Sequence, residues 1–129
     1  MTDNRDDCAR DKSLELLHSV LPDPAWTVFR ENGIVEYAGK CGIYTISAGE
    51  QTVIRDARSG RTIAHACLQL SIFAPAYDRM AAEYLILKNA EDLYWRTANI
   101  FDNPYEHIAE VLLIIFDSVL LFYLIALLA

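Results

Sequence analysis

The sequence predicts an α+β fold: a short N-terminal helix, a five-stranded antiparallel meander, then two long C-terminal helices, the last strongly apolar. Three observations predict it. Turn signals cut residues 26–73 into short β-prone runs, and a seam at helical spacing runs from Tyr77 to Phe101. Val111 to Ala129 is an apolar run in which Asp117 is the sole charge. The 129 residues suit one domain with a real core. The expected division is a disordered start at 1–10, an α+β domain at 11–103, and an apolar helix at 104–129.

Residues 1–10 are polar and carry too little apolar surface to order themselves. From Asp11 the pattern changes. Leu14, Leu17, His18 and Leu21 recur at helical spacing, Asp11 or Ser13 can cap them, and Pro22 and Pro24 stop the run. The meander follows as strands 26–31, 34–38, 43–48, 52–57 and 62–73. They are separated by Asn32-Gly33, Gly39-Lys40-Cys41-Gly42, Gly49-Glu50 and Ser59-Gly60. Asn-Gly is the strongest of these signals, because a two-residue hairpin turn needs positive φ at both central positions. The last strand alternates, with Ala64, Ala66, Leu68, Leu70 and Ile72 on one face and His65, Cys67, Gln69 and Ser71 on the other.

Ala74-Pro75 ends the sheet and opens a helix over 76–101, whose seam is Tyr77, Met80, Tyr84, Leu87, Glu91, Tyr94, Ala98 and Phe101. Asp102-Asn103-Pro104 interrupts it. Asn103 as cap, Pro104 at the first position and Glu106 in a capping box would start the final helix.

That final helix is decisive. Fourteen of the nineteen residues from Val111 to Ala129 are Leu, Ile, Val or Phe. Together they favour membrane insertion by about 4–8 kcal/mol, against about 2.5–3.5 kcal/mol for Asp117. Nineteen residues also nearly match a hydrocarbon core of about 30 Å. All bases precede the run, and Arg96 alone lies near it, so the positive-inside tendency would leave the N-terminal part cytoplasmic. The expected location is thus cytoplasmic, with a C-terminal anchor as one reading. The other places the same helix in a soluble core or an oligomer, where Asp117 would sit at the core's edge.

The formal net charge of −7 argues against a nucleic-acid binder and against recruitment to anionic lipid. Cys8, Cys41 and Cys67 are too scattered for a disulfide framework, and no pair has zinc-finger spacing.

Each candidate site has a plainer reading beside it. Gly39-Lys40-Cys41-Gly42 lacks the P-loop pattern and lies between strands, so a hairpin turn is favoured. His65 and Cys67 share a strand face about 6–7 Å apart, too far for a nucleophile–base pair. Glu106, His107 and Glu110 offer His-x-x-Glu once, where di-iron bundles use Glu-x-x-His twice. Glu91 interrupts an apolar seam, so it is a candidate functional carboxylate, or else it meets an aromatic hydroxyl or an Arg such as Arg79 or Arg55.

Tyr77, Tyr84, Tyr94, Trp95, Phe101 and Tyr105 make an aromatic-rich region that would be core or partner surface. The ligand- or partner-surface candidates are Tyr84, Leu87, Glu91, Tyr94, Trp95 and Asp117. No catalytic residue, metal or cofactor is assigned. The function expected first is a non-enzymatic interaction or accessory protein, docking through its last helix to a membrane, a partner subunit or a second copy. The alternative is a small soluble binding domain, with that helix in its core and an apolar ligand or protein partner. An enzyme built on Glu91 or the His65–Cys67 pair ranks last.

Overall fold

The computed structural model describes residues 3–70, 74–102 and 104–129, with side chains described for 4–70, 74–102 and 110–129. Four helices and a five-stranded antiparallel sheet follow the order α1 (Asp3–Val20), α2 (Asp23–Asn32), β1 (Ile34–Ala38), β2 (Ile43–Ser47), β3 (Thr52–Arg55), β4 (Thr62–Cys67), α3 (Ala76–Thr97), β5 (Asn99–Asp102) and α4 (Pro104–Leu128). The α+β class, the meander and the two C-terminal helices are as the sequence predicts.

α1 begins earlier than expected, at Asp3, inside the stretch read as disordered. Residues 4–12 are all exposed, whereas Ser13, Leu17 and Leu21 are buried. The packed second half supplies the nucleus, and extending a formed helix is far easier than starting one. Asp11 and Ser13 therefore lie inside the helix and do not cap it.

Residues 26–31, expected as a strand, belong to α2. The same prolines that end one helix start the next: Pro22 is the N-cap in extended conformation, and Pro24 occupies the first turn. Phe29 is buried, with Ala25 and Trp26 packed beside it at helical spacing. Asn32-Gly33 is accordingly a helix end, not a hairpin. Gly33 has φ 72°, and its N–H reaches Phe29 O at 2.7 Å.

The strands pair in sequence order, β1-β2-β3-β4-β5. The register puts Val35 beside Ile46, Tyr44 beside Ile54, Ile54 beside Ala64 and Ala66 beside Ile100, all on the helix-covered face. β4 keeps the expected alternation through Leu68, with Ala64, Ala66 and Leu68 buried and His65 and Cys67 half-buried, but Leu70, expected on the buried face, is exposed. Its strand pairing stops at Cys67, and Ser71, Ile72 and Phe73 lie outside the described residues. α3 packs on β1 and β2, α1 packs on α3, and α2 packs on β1.

The helix expected over 76–101 ends at Thr97, and Asn99–Asp102 crosses to β4 as the fifth strand. Ala98 turns extended (φ −73°, ψ 148°), and the Asn99–Asp102 backbone then pairs antiparallel with β4. Ala98 and Phe101 fit the helical seam by spacing alone. In the strand it is Ile100 that packs inward, and Phe101 is 48 % exposed. α4 starts at Pro104; the Asn103 cap and the Glu106 capping-box side chain lie outside what is described.

Candidate functional site: a carboxylate clasp and an exposed apolar helix

Inside α3 the backbone leaves helical geometry once, at Ala90 (φ −153°, ψ 65°). The next residue is Glu91. The break carries its side chain to the β1–β2 turn, where the Lys40 amide donates to Oε2 at 2.8 Å and the Cys41 amide to Oε1 at 2.9 Å. Consecutive amides of a tight turn form a concavity that binds anions, and here the anion is the chain's own carboxylate. Tyr44, on β2, donates its hydroxyl to the same Oε1 at 2.6 Å, and Trp95 Nε1 donates to Tyr44 Oη at 2.7 Å.

The glycines of the turn make room for this. A Cβ on Gly39 would run into the Glu91 carboxyl and the Tyr44 ring, and one on Gly42 would come within 2.6 Å of Arg55 O. Gly39-Lys40-Cys41-Gly42 is thus a hairpin turn, as expected, and a socket besides.

Burial pushes the Glu91 carboxyl up, but hydrogen bonds from Tyr44, Cys41 and Lys40 outweigh it and hold the group below the usual range. The Tyr44 hydroxyl is pushed well up by burial and by Glu91. The Cys41 thiol is also raised, by partial desolvation and then by the Glu91 charge, so little of it is thiolate at neutral pH. All of this favours one state: a charged carboxylate joined to neutral donors. Its chemistry is to hold the β1–β2 turn against α3, beside an open cleft of about 580 Å³ bordered by Tyr37, Lys40, Leu87 and Lys88.

A second buried carboxylate lies nearby. Glu83 is fully buried, and its Oε1 accepts from Thr52 Oγ1 and Tyr94 Oη, each at 2.6 Å. Glu83 Oε2 has no partner among the described residues.

The structure brings some predicted site residues together and separates others. Glu91 and Trp95 meet at the Tyr44 hydroxyl, and the Tyr94 ring sits edge-on to Tyr44 at 5.7 Å. Tyr84 is core, edge-on to Tyr37 at 5.8 Å, and Leu87 is 1 % exposed. Of Glu91's expected partners the aromatic hydroxyl holds, whereas Arg79 donates to the Ser47 and Ala48 carbonyls and Arg55 pairs with Glu36. His65 and Cys67 share a face of β4, with no hydrogen bond joining them among the described residues. Glu106 and His107 have no described side chains, and no group of metal ligands forms among the residues that do.

Sequence reasoning missed Tyr44, Thr52 and Glu83. One usable signal was the Gly39-x-x-Gly42 turn with its free amides, set beside a lone acid on an apolar seam.

Asp117 belongs to none of this. It lies on α4, where every residue from Glu110 to Leu128 is exposed; the stretch has a mean hydropathy of 2.8 and none of it is buried. Among the described residues, no strand or helix of the domain makes an extensive contact with it. In this structure Glu110–Leu128 takes no part in the chain's own core. The core closes without it, from Leu17 through Ala98. No family model, curated protein or solved structure matches the chain.

Proposed function

We propose that this chain is a non-enzymatic accessory or interaction protein, its α+β domain held at a membrane by α4. One observation carries the reading: Glu110–Leu128 has the length and hydropathy of a membrane span, and none of it is covered by protein. A helix apolar all round has no favourable place in water, since contiguous exposed apolar surface of this extent marks a lipid or protein contact. The acidic domain adds no attraction to anionic headgroups, so the binding is hydrophobic.

The Glu91 clasp supports the same class of function. Its carboxylate is occupied by the chain's own donors and ties the β1–β2 turn to α3.

Flotation with an alkaline carbonate wash tests the proposal. The full chain should stay with the vesicles, while a version ending at Asn103 should remain in the soluble fraction. Release of the full chain by carbonate would remove the span and leave α4 as a protein-docking helix.

A further inference from the structure

Taking α4 as a membrane span, a reading on which this inference rests, leaves one charge unanswered inside it. Asp117 is the only Asp, Glu, Lys or Arg between Glu110 and Ala129. It lies seven residues past Glu110, about 10 Å along the helix. No Lys or Arg follows Arg96 in this sequence, so the span holds no base to meet it. The neighbouring Ser118 hydroxyl is turned back onto Ile114 O at 2.8 Å. Among the described residues Asp117 has no hydrogen bond or ion pair.

Its surroundings are ordered along the helix. Glu110, Leu113, Asp117, Leu120, Leu124 and Leu127 follow alternating steps of three and four residues, the spacing of a helix–helix seam. Phe122 falls on the opposite side of α4, and Phe116 and Tyr123 flank the stripe along one edge. The acid thus lies within a leucine stripe, on the side away from the flanking Phe116 and Tyr123. Acids within membrane spans face a partner or a polar path, not lipid.

We propose that this stripe docks a second membrane helix, from a different protein, that carries Lys or Arg at the depth of Asp117. Charge complementarity chooses this occupant over a second copy. Two copies inserted the same way run parallel, which would set Asp117 against Asp117 and Glu110 against Glu110 along one seam. A partner with a base opposite Asp117, and a base or hydrogen-bond donor opposite Glu110 near the headgroups, removes both conflicts.

The test uses the full chain, carrying a donor fluorophore at its C terminus, in phosphatidylcholine vesicles at physiological salt. The probes are two acceptor-labelled leucine-rich spanning peptides of equal length, one with Lys and one with Leu at the depth of Asp117. Flotation is read on the same vesicles. The expected result is energy transfer that half-saturates at a peptide-to-lipid ratio at least tenfold lower for the Lys peptide. Asp117→Leu should erase that preference, and Asp117→Glu should keep most of it. Equal transfer to both peptides, or a Lys preference that survives Asp117→Leu, overturns the inference while the membrane reading stands. Transfer between two labelled copies as strong as to the Lys peptide also overturns it, in favour of self-pairing. A chain that fails to float removes the membrane reading and this inference with it.

Discussion

Glu91 and Tyr44 lie 47 residues apart in sequence, and their side chains meet at 2.6 Å. The contact joins the broken part of α3 to the second strand, and the turn amides of Lys40 and Cys41 close on the same carboxylate. Cutting Glu91 back to alanine removes the acceptor of the partly buried Tyr44 hydroxyl and returns two exposed turn amides to water. We expect Glu91→Ala to cost about 1–3 kcal/mol, chiefly from the partly buried Tyr44 hydroxyl losing a charged acceptor. Tyr44→Phe should cost less, because the amides still satisfy the acid. Urea denaturation of the version ending at Asn103 reads both. Equal stability of all three chains would reduce the clasp to an incidental contact.

The same site gives the domain an acid limit. Glu91 has a folded pKa below the ordinary one, so its stabilisation is complete above the unfolded value of about 4.3 and is lost as pH falls through the folded value. Asp56, held down by Ser59, acts in the same direction. At the alkaline end Tyr44 and Tyr94 are raised, both chiefly by burial. Their contribution is complete below about 10 and declines above it. Stability measured against pH should fall at both ends, and Glu91→Gln should flatten the acid limb below about pH 5 without moving the alkaline one. An unchanged acid limb would assign it to other carboxylates.

Thr52 and Tyr94 donate to one oxygen of Glu83, so their effects should not add. Thr52→Val and Tyr94→Phe are each expected to destabilise by about 0.5–2 kcal/mol. The double variant should differ from their sum by at least about 0.5 kcal/mol, the usual sign of a shared partner. Strict additivity in a double-mutant cycle would mean that the two hydroxyls act independently.

How far the sequence shows this architecture depends on which signals are local. The β2 and β3 positions follow from short turns, and the burial of Met80, Tyr84, Leu87 and Tyr94 follows from helical spacing. Two elements escaped for physical reasons. Prolines 22 and 24 serve equally as a stop and a start, and only the packing of Phe29 selects α2. β5 is four residues long, and its pairing to β4 is long-range, so nothing local announces it. Within the site, Glu91 was legible as an acid out of place on an apolar seam. An aromatic hydroxyl was legible as its partner, but not that it would be Tyr44's or that turn amides would join it, because the Ala90 break leaves no mark in the residue pattern.

Gly39 offers a sharper probe of the clasp than truncation does. A methyl group there would enter space held by the Glu91 carboxyl and the Tyr44 ring, so Gly39→Ala should destabilise by about 1–3 kcal/mol through overpacking. In a Glu91→Ala background the carboxyl is gone, and the added cost should fall by at least half. A cost that persists undiminished would assign the constraint to the Tyr44 ring.

The apolar helix and the domain should be separable. Among the described residues the buried apolar core runs from Leu17 to Ala98, and Glu110–Leu128 of α4 is wholly exposed. Removing residues 104–129 is therefore expected to leave the domain folded, with a cooperative thermal transition. Substitutions along α4, such as Leu120→Ala, should leave the domain's unfolding free energy within about 0.5 kcal/mol, the range of exposed sites. Leu17→Ala, by contrast, should cost about 2–5 kcal/mol, because it opens a cavity between α1 and α3. Circular dichroism melts of the shortened chain decide the matter. Loss of the cooperative transition on removing α4 would mean that the last helix supports the fold and is not free for lipid or partner.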